Sequence, residues 1–180
     1  MILNVDKNIV LKQLELTDTP DIFNTIDTQR EHLGPWLPFV ETTKQLSDTH
    51  AFVESVVNSP KDRMEYTFTI RVNGRMAGLI GFKATDRANK KTEIGYWLSR
   101  DFLGRGIMSR SVSTLCDFAF RELEINRIQI KCAIANTPSR NIPQRMGFKL
   151  EGLERAGELL TCGVFADLTV YSRLRGDEYN

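Results

Sequence analysis

Two histidines, three cysteines and a charge excess of one positive unit, 24 Lys+Arg against 23 Asp+Glu, are what this chain of 180 residues has little of. The near-zero balance removes the whole-molecule field expected of a nonspecific nucleic-acid or membrane-surface binder, so any anion has to be bound locally. Cys116, Cys132 and Cys162 show no CxxC or CxxH spacing, which excludes a disulfide framework and a zinc site and leaves no metal to expect. No apolar run approaches the roughly 20 residues needed to cross a bilayer. The opening Met1 to Lys7 meets Asp6 too early to build a signal peptide, so a reducing cytoplasm is the expected compartment. No low-complexity linker or repeat interrupts the sequence, and neither GxGxxG nor GxxxxGK[ST] occurs, which sets aside dinucleotide and P-loop sites. With 41% hydrophobic and 26% charged residues, the chain has enough apolar material for one core, and residues 1–180 are expected to form a single domain.

The elements follow from periodicity. Ile9 to Leu14 suits a first strand, and Thr17-Asp18-Thr19-Pro20 supplies a helix start before Ile22, Phe23 and Ile26 at helical spacing. A second helix is expected after Ser47, with Phe52, Val53, Val56 and Val57 as its stripe. Between them Gly34-Pro35-Trp36-Leu37-Pro38-Phe39 reads as a packed loop or the wall of a binding site. Tyr66 to Val72 alternates strictly, and Asn73-Gly74, the pair that a type I′ turn requires, leads into a second apolar run from Met76 to Phe82. A strand from Thr92 to Leu98, a glycine turn, a helix with Met108, Val112, Leu115, Cys116, Ala119 and Leu123 on one face, and a strand from Arg127 to Ile134 together read as a βαβ crossover with parallel strands. Asn136 to Ser139 opens another helix that stops at Gly147, and strands from Phe148 to Leu153 and Asp167 to Leu174 close the chain. The expected fold is mixed α/β (α+β), a mostly antiparallel central sheet flanked by helices.

The chemistry is concentrated at Leu103-Gly104-Arg105-Gly106-Ile107-Met108, between a strand end and a helix N-terminus. Free amides and the helix dipole there favour a phosphate, and glycines let the chain approach it closely. Arg105 and Arg110 add positive charge beside the turn.

Glu93-Ile94-Gly95-Tyr96-Trp97-Leu98 followed by Phe102 to Met108 resembles the acyl-CoA-binding segment of the GNAT acetyltransferase superfamily. Asn136-x-x-Ser139, Met146-Gly147-Phe148 and the closing strand resemble its later motifs in the same order, and the Gly-Tyr-Trp-Leu strand and Pro-Trp-Leu-Pro-Phe segment are most similar to the RimL/RimJ type of ribosomal-protein N-terminal acetyltransferases. The resemblance covers nearly the whole chain. It implies direct acetyl transfer from acetyl-CoA to an amine, with no metal. It further implies a diphosphate on the glycine turn and a pantetheine arm between splayed strands, here Ile94 to Leu98 and Ile130 to Ala135. On this likeness the cofactor contacts are Trp97, Leu98, Leu103, Gly104, Arg105, Gly106, Ile107, Met108, Ser109, Arg110, Asn136 and Ser139. Ser139 is the implied acid for the departing thiolate, with Asn136 beside it and Tyr96 as a second candidate, and Trp36 and Phe39 are the implied acceptor wall. Asp101 departs from the superfamily pattern, in which Arg or Gln opens the turn, and Arg100, Arg105 and Arg110 are the groups that can compensate.

The base stays open. The family's acidic position after the Tyr-Trp-Leu strand holds Arg100, which leaves Asp101, Glu93, Glu65, Glu31 and His32 as candidates. With reference pKa values of roughly 7.8 and 10.4, about one α-amine in seven is neutral at pH 7 against about one lysine in 2,500, which favours a protein N-terminus as acceptor where the base is weak. The expected partners are therefore acetyl-CoA and a protein α-amine, with a homodimer or higher homo-oligomer left open. The competing readings are a small-molecule amine acetyltransferase and a CoA-binding regulatory module without turnover.

Overall fold

The computed structural model describes residues 1–177, with the side chains of Lys61 and Cys162 outside the described residues. The expectation that Cys162 takes no part in a disulfide or metal site therefore lies beyond them.

The chain opens with a short strand absent from the sequence expectation, β1 (Ile2–Asn4), paired antiparallel to β2 (Ile9–Gln13). Four helices follow: α1 (Thr19–Thr28), α2 (Arg30–Leu33), α3 (Phe39–Thr42) and α4 (Leu46–Val57). The segment 34–38 is irregular, as its prolines require, yet the flanking residues close into helical turns and Phe39 starts one of them. On α4 only Val53 of the expected stripe is fully buried, Val56 packs partly, and Phe52 and Val57 are exposed. That helix turns a narrower face to the protein than its apolar content implied.

β3 (Thr67–Val72) and β4 (Arg75–Asp86) form the expected hairpin. Asn73 and Gly74 take φ of 49° and 79°, the left-handed values that select this residue pair. β5 (Lys91–Leu98), α5 (Ile107–Arg121) and β6 (Arg127–Ala133) are the crossover, with β5 and β6 parallel. The face of α5 carrying Met108, Val112, Leu115, Cys116 and Ala119 is buried against the sheet. Each fully buried Val or Leu there is worth about 1.5–3 kcal/mol relative to exposure. Leu123 falls beyond the helix end, and Ile134 lies past the end of β6 with 39% exposure instead of in the core.

α6 (Thr137–Arg145) is followed by β7 (Lys149–Leu160) and β8 (Val164–Leu174), both longer than expected and joined as a hairpin. Among the described residues, eight strands make one sheet in the order β1-β2-β3-β4-β5-β6-β8-β7, antiparallel except at β5 and β6. The larger apolar cluster lies between the sheet and α5, and a second one, with Ile22, Ile26, Val53, Leu79 and Trp97, lies under α1 and α4. No described helix is long and apolar enough to cross a membrane.

Candidate active site

Parallel pairing between β5 and β6 is confined to three pairs, Lys91–Arg127, Thr92–Ile128 and Glu93–Gln129. Beyond them β5 stays bonded to β4 and β6 to β8, so the inner edges from Ile94 and from Ile130 onward diverge and face one another without ladder bonds. A wedge of this kind leaves backbone donors and acceptors free for an extended, amide-bearing ligand.

The wedge opens into a cavity of about 780 Å³ lined by Gly95, Tyr96 and Trp97 of β5, Lys131 to Ala133 of β6, and residues of α1, α3 and α4. Three polar side chains bridge its rim. The Tyr96 hydroxyl donates to the Ser139 carbonyl at 3.0 Å, the Ser139 hydroxyl donates to the Tyr96 hydroxyl at 3.4 Å, and Cys132 Sγ lies 3.3 Å from Ser139 Oγ. Asn136 caps α6 by accepting from the Ser139 amide at 3.2 Å, which fixes the serine relative to the wedge. Burial pushes the Tyr96 phenol well above its ordinary value, with Cys132 adding to the effect, and burial also raises the Cys132 thiol. Both therefore keep their protons at neutral pH and neither can serve as a base for the amine.

At the C-terminal end of β5 the 3-10 turn Arg100–Phe102 leads into Gly104 and Gly106, with φ of 72° and 67°. Among the described residues the amides of positions 104 to 109 donate to no protein acceptor, and Arg110 N is the first to bond, to the Gly106 carbonyl at 3.2 Å. Six free amides at the head of a helix form a cradle for a diphosphate. Ile107 and Met108 are buried in the core, so only their amides can serve a ligand, while Leu103 is exposed and Ser109 half-buried. The Arg105 guanidinium lies 5.7 Å from the Phe102 ring centroid. Arg110 bonds Asp6 at 2.6 Å and the carbonyls of Arg105 and Gly106, so its charge is neutralised and it braces the turn. Leu98 packs on the core and its carbonyl lies 3.2 Å from His32 Nε2.

Trp36 and Phe39 both line the cavity, together with Leu37 and Pro38. The proposed bases do not. Glu31 and Asp101 are exposed, His32 is held at Leu98, Glu65 accepts from the Thr85 amide at 3.4 Å, and Glu93 is buried with Lys83 2.8 Å away. The cavity's carboxylates are Asp48 and Glu158. Asp48 caps α4, accepting from the amides of Lys44 and Gln45, whereas the exposed carboxylate of Glu158 on β7 has no bonded partner among the described residues. Glu158 is not among the residues expected from the sequence, since the apolar pattern supports a strand only to Leu153 whereas β7 continues to Leu160. The hairpin reaches the α2–α3 loop through Thr161 Oγ1, which donates to the Gly34 carbonyl at 2.6 Å.

Residues 8–149 match the acetyltransferase (GNAT) domain. The chain is 34% identical over 177 residues, 95% of its length and 93% of the relative's, to the putative ribosomal N-acetyltransferase YdaF of Bacillus subtilis (strain 168). It is 31% identical over 139 residues to the ribosomal-protein-serine acetyltransferase of Escherichia coli (strain K12), covering 77% of this chain and 75% of that one. The structure of RimL, a ribosomal L7/L12 alpha-N-protein acetyltransferase in complex with coenzyme A, superposes with a TM-score of 0.92 at 28% identity over 97% of this chain and 98% of that one. With a wedge between parallel strands, a glycine cradle before α5 and a match along most of its length, this chain belongs to the GNAT family and is an acetyl-CoA-dependent N-acetyltransferase.

Proposed function

We propose that the acceptor is the N-terminal α-amine of a protein, a ribosomal protein in the first instance. The observation that supports this reading is the lining of the cavity, which is largely apolar, with Ile22, Ile26, Trp36, Leu37, Phe39 and Leu79 beside two carboxylates, of which Asp48 is already committed to the head of α4. A polyamine or an aminoglycoside carries several positive charges and calls for an excess of acids, whereas a peptide terminus brings one ammonium into an otherwise apolar cleft. The relatives named for ribosomal-protein acetylation support the same choice.

In this reading the amides of 104 to 109 hold the diphosphate of acetyl-CoA, and the inner edges of β5 and β6 hold its amide-bearing arm. When bound, acetyl-CoA supplies an activated thioester at the wedge. Trp36 and Phe39 border the acceptor. Glu158 attracts the incoming ammonium and takes its proton, directly or through water. Ser139, oriented by Asn136 and Tyr96, gives a proton to the leaving sulfur.

The test is intact-mass analysis of purified ribosomal proteins, N-terminal peptides and a polyamine panel after incubation with the chain and acetyl-CoA. Acetylation of α-amines with kcat/KM well above that for polyamines is the expected result; the reverse order would make the chain a small-molecule enzyme, and binding without turnover on any amine would make it a regulatory module.

A further inference from the structure

Just past the end of β5 the Ser99 amide donates to the Ala77 carbonyl of β4 at 2.7 Å. The carbonyl of a trans peptide unit points opposite to its N–H, so the Leu98 carbonyl is aimed away from β4, toward the side that β6 has left. His32 Nε2 donates to it at 3.2 Å. From the same corner of the molecule Gln29 Oε1 accepts from the Arg100 amide, two residues on, at 2.9 Å. A residue of a parallel neighbouring strand would make this same pair of bonds, donating to one carbonyl and accepting from the amide two residues later. The two side chains take the place of one residue of a strand that has turned away.

The corner that supplies them is firmly held. Gln29 joins α1 to α2, its amide donating to the Ile26 carbonyl at 3.1 Å and its carbonyl accepting from the amides of His32 at 3.0 Å and Leu33 at 2.9 Å. Ile26 and Leu33 are buried in the cluster that also contains Trp97 of β5. The Trp97 carbonyl lies against Gly78 of β4, so the Leu98 amide of the same peptide unit points inward, and by strand alternation the Tyr96 carbonyl does too. This second pair lies beyond the last register pair with β6, and an extended ligand amide can take it. The next pair along is already held by His32 and Gln29.

We propose that His32 and Gln29 are positioning residues for acetyl-CoA: they close the outer end of the free β5 edge and hold the Tyr96 carbonyl and Leu98 amide in a fixed place for the arm. The inference rests on the reading above that the diverging edges hold that arm. Neither residue lines the cavity, so both act through the backbone of β5. An edge fixed before binding loses less freedom when the ligand arrives, and affinity rises accordingly.

The experiment measures, by calorimetric titration, the affinities for acetyl-CoA and for adenosine 3′-phosphate 5′-diphosphate, which keeps the diphosphate and lacks the arm. His32→Ala and Gln29→Ala are each expected to bind acetyl-CoA about three- to tenfold more weakly than wild type, the effect of one lost hydrogen bond, with affinity for the nucleotide unchanged. His32→Gln, which retains an N–H donor, should recover most of the loss. Undiminished acetyl-CoA affinity in both alanine variants would overturn the proposal while leaving the arm in the wedge. Equal losses on both ligands, or a loss that His32→Gln does not recover, would overturn it too, by making the corner a support of the fold. A wild type that binds the nucleotide as tightly as acetyl-CoA would show that the arm finds no partners in the wedge, and would bring down that reading and this inference together.

Discussion

Gln129 donates to Glu93, Nε2 to Oε2 at 2.9 Å, and the same two residues are the last register pair between β5 and β6. Their bond marks the apex of the wedge. Lys83 at 2.8 Å and Lys131 at 3.9 Å complete the surroundings of this buried carboxylate, so a neutralised cluster sits where the sheet divides. Glu93 is thereby held by its neighbours at the fork and does not line the cavity.

The glycine cradle gives the most direct test of the cofactor site. Gly104 has a φ of 72° and nothing within 4 Å of where a Cβ would stand, so a side chain there meets backbone strain and blocks the approach to the amides without a clash inside the protein. Gly104→Val is expected to weaken acetyl-CoA binding by more than about tenfold in calorimetric titration, the left-handed backbone alone disfavouring a β-branched residue by 1–2 kcal/mol or so. Retained affinity would place the diphosphate elsewhere.

Ser139 is expected to act on the chemical step. Ser139→Ala should lower kcat by about 10²-fold while the acetyl-CoA Kd changes little, which steady-state kinetics and titration separate. Tyr96→Phe keeps the ring and removes the hydroxyl bonded to the Ser139 carbonyl, so a smaller fall in kcat is expected. Unchanged turnover in Ser139→Ala removes the serine from proton transfer.

Glu158 is tested by Glu158→Gln, which preserves shape and removes charge. The expected outcome is a fall in kcat/KM for α-amine peptides of about 10²-fold, with acetyl-CoA binding intact, and partial recovery at alkaline pH where the amine is already neutral. A loss independent of pH would count against a role in handling the amine's proton.

The pH dependence of stability has one identifiable contributor at the β6–β7 side of the sheet. Arg127 bonds Glu151, Nη1 to Oε1 at 2.6 Å, and holds its carboxyl down at about 2 from 4.5. A carboxylate depressed on folding stabilises fully above its unfolded pKa, and that stabilisation is lost as pH falls through its folded one. Melting curves should therefore show Glu151→Gln below wild type at neutral pH, by a few degrees at most because the pair is partly exposed, with the gap closing between pH 4.5 and about 2. A gap that persists at the acid end would assign the effect to packing.

The sequence by itself determined the local elements and their order. Strict alternation and Asn73-Gly74 specify the β3–β4 hairpin, the apolar stripe from Met108 to Ala119 specifies α5, and the glycines at 104 and 106 specify the cradle, because each depends on neighbours only a few residues away. Tertiary structure alone decided where β5 and β6 part and which carboxylates reach the cavity. Glu158 enters the site because the β7–β8 hairpin runs past Leu153 and docks by Thr161 on Gly34, a contact between distant parts of the chain. Glu93 is engaged by Lys83 and Gln129 on the two adjoining strands, contacts that its own segment does not reveal. Periodicity records which face of an element is buried, but a wedge and a cavity are properties of several elements packed together, and no single segment carries them.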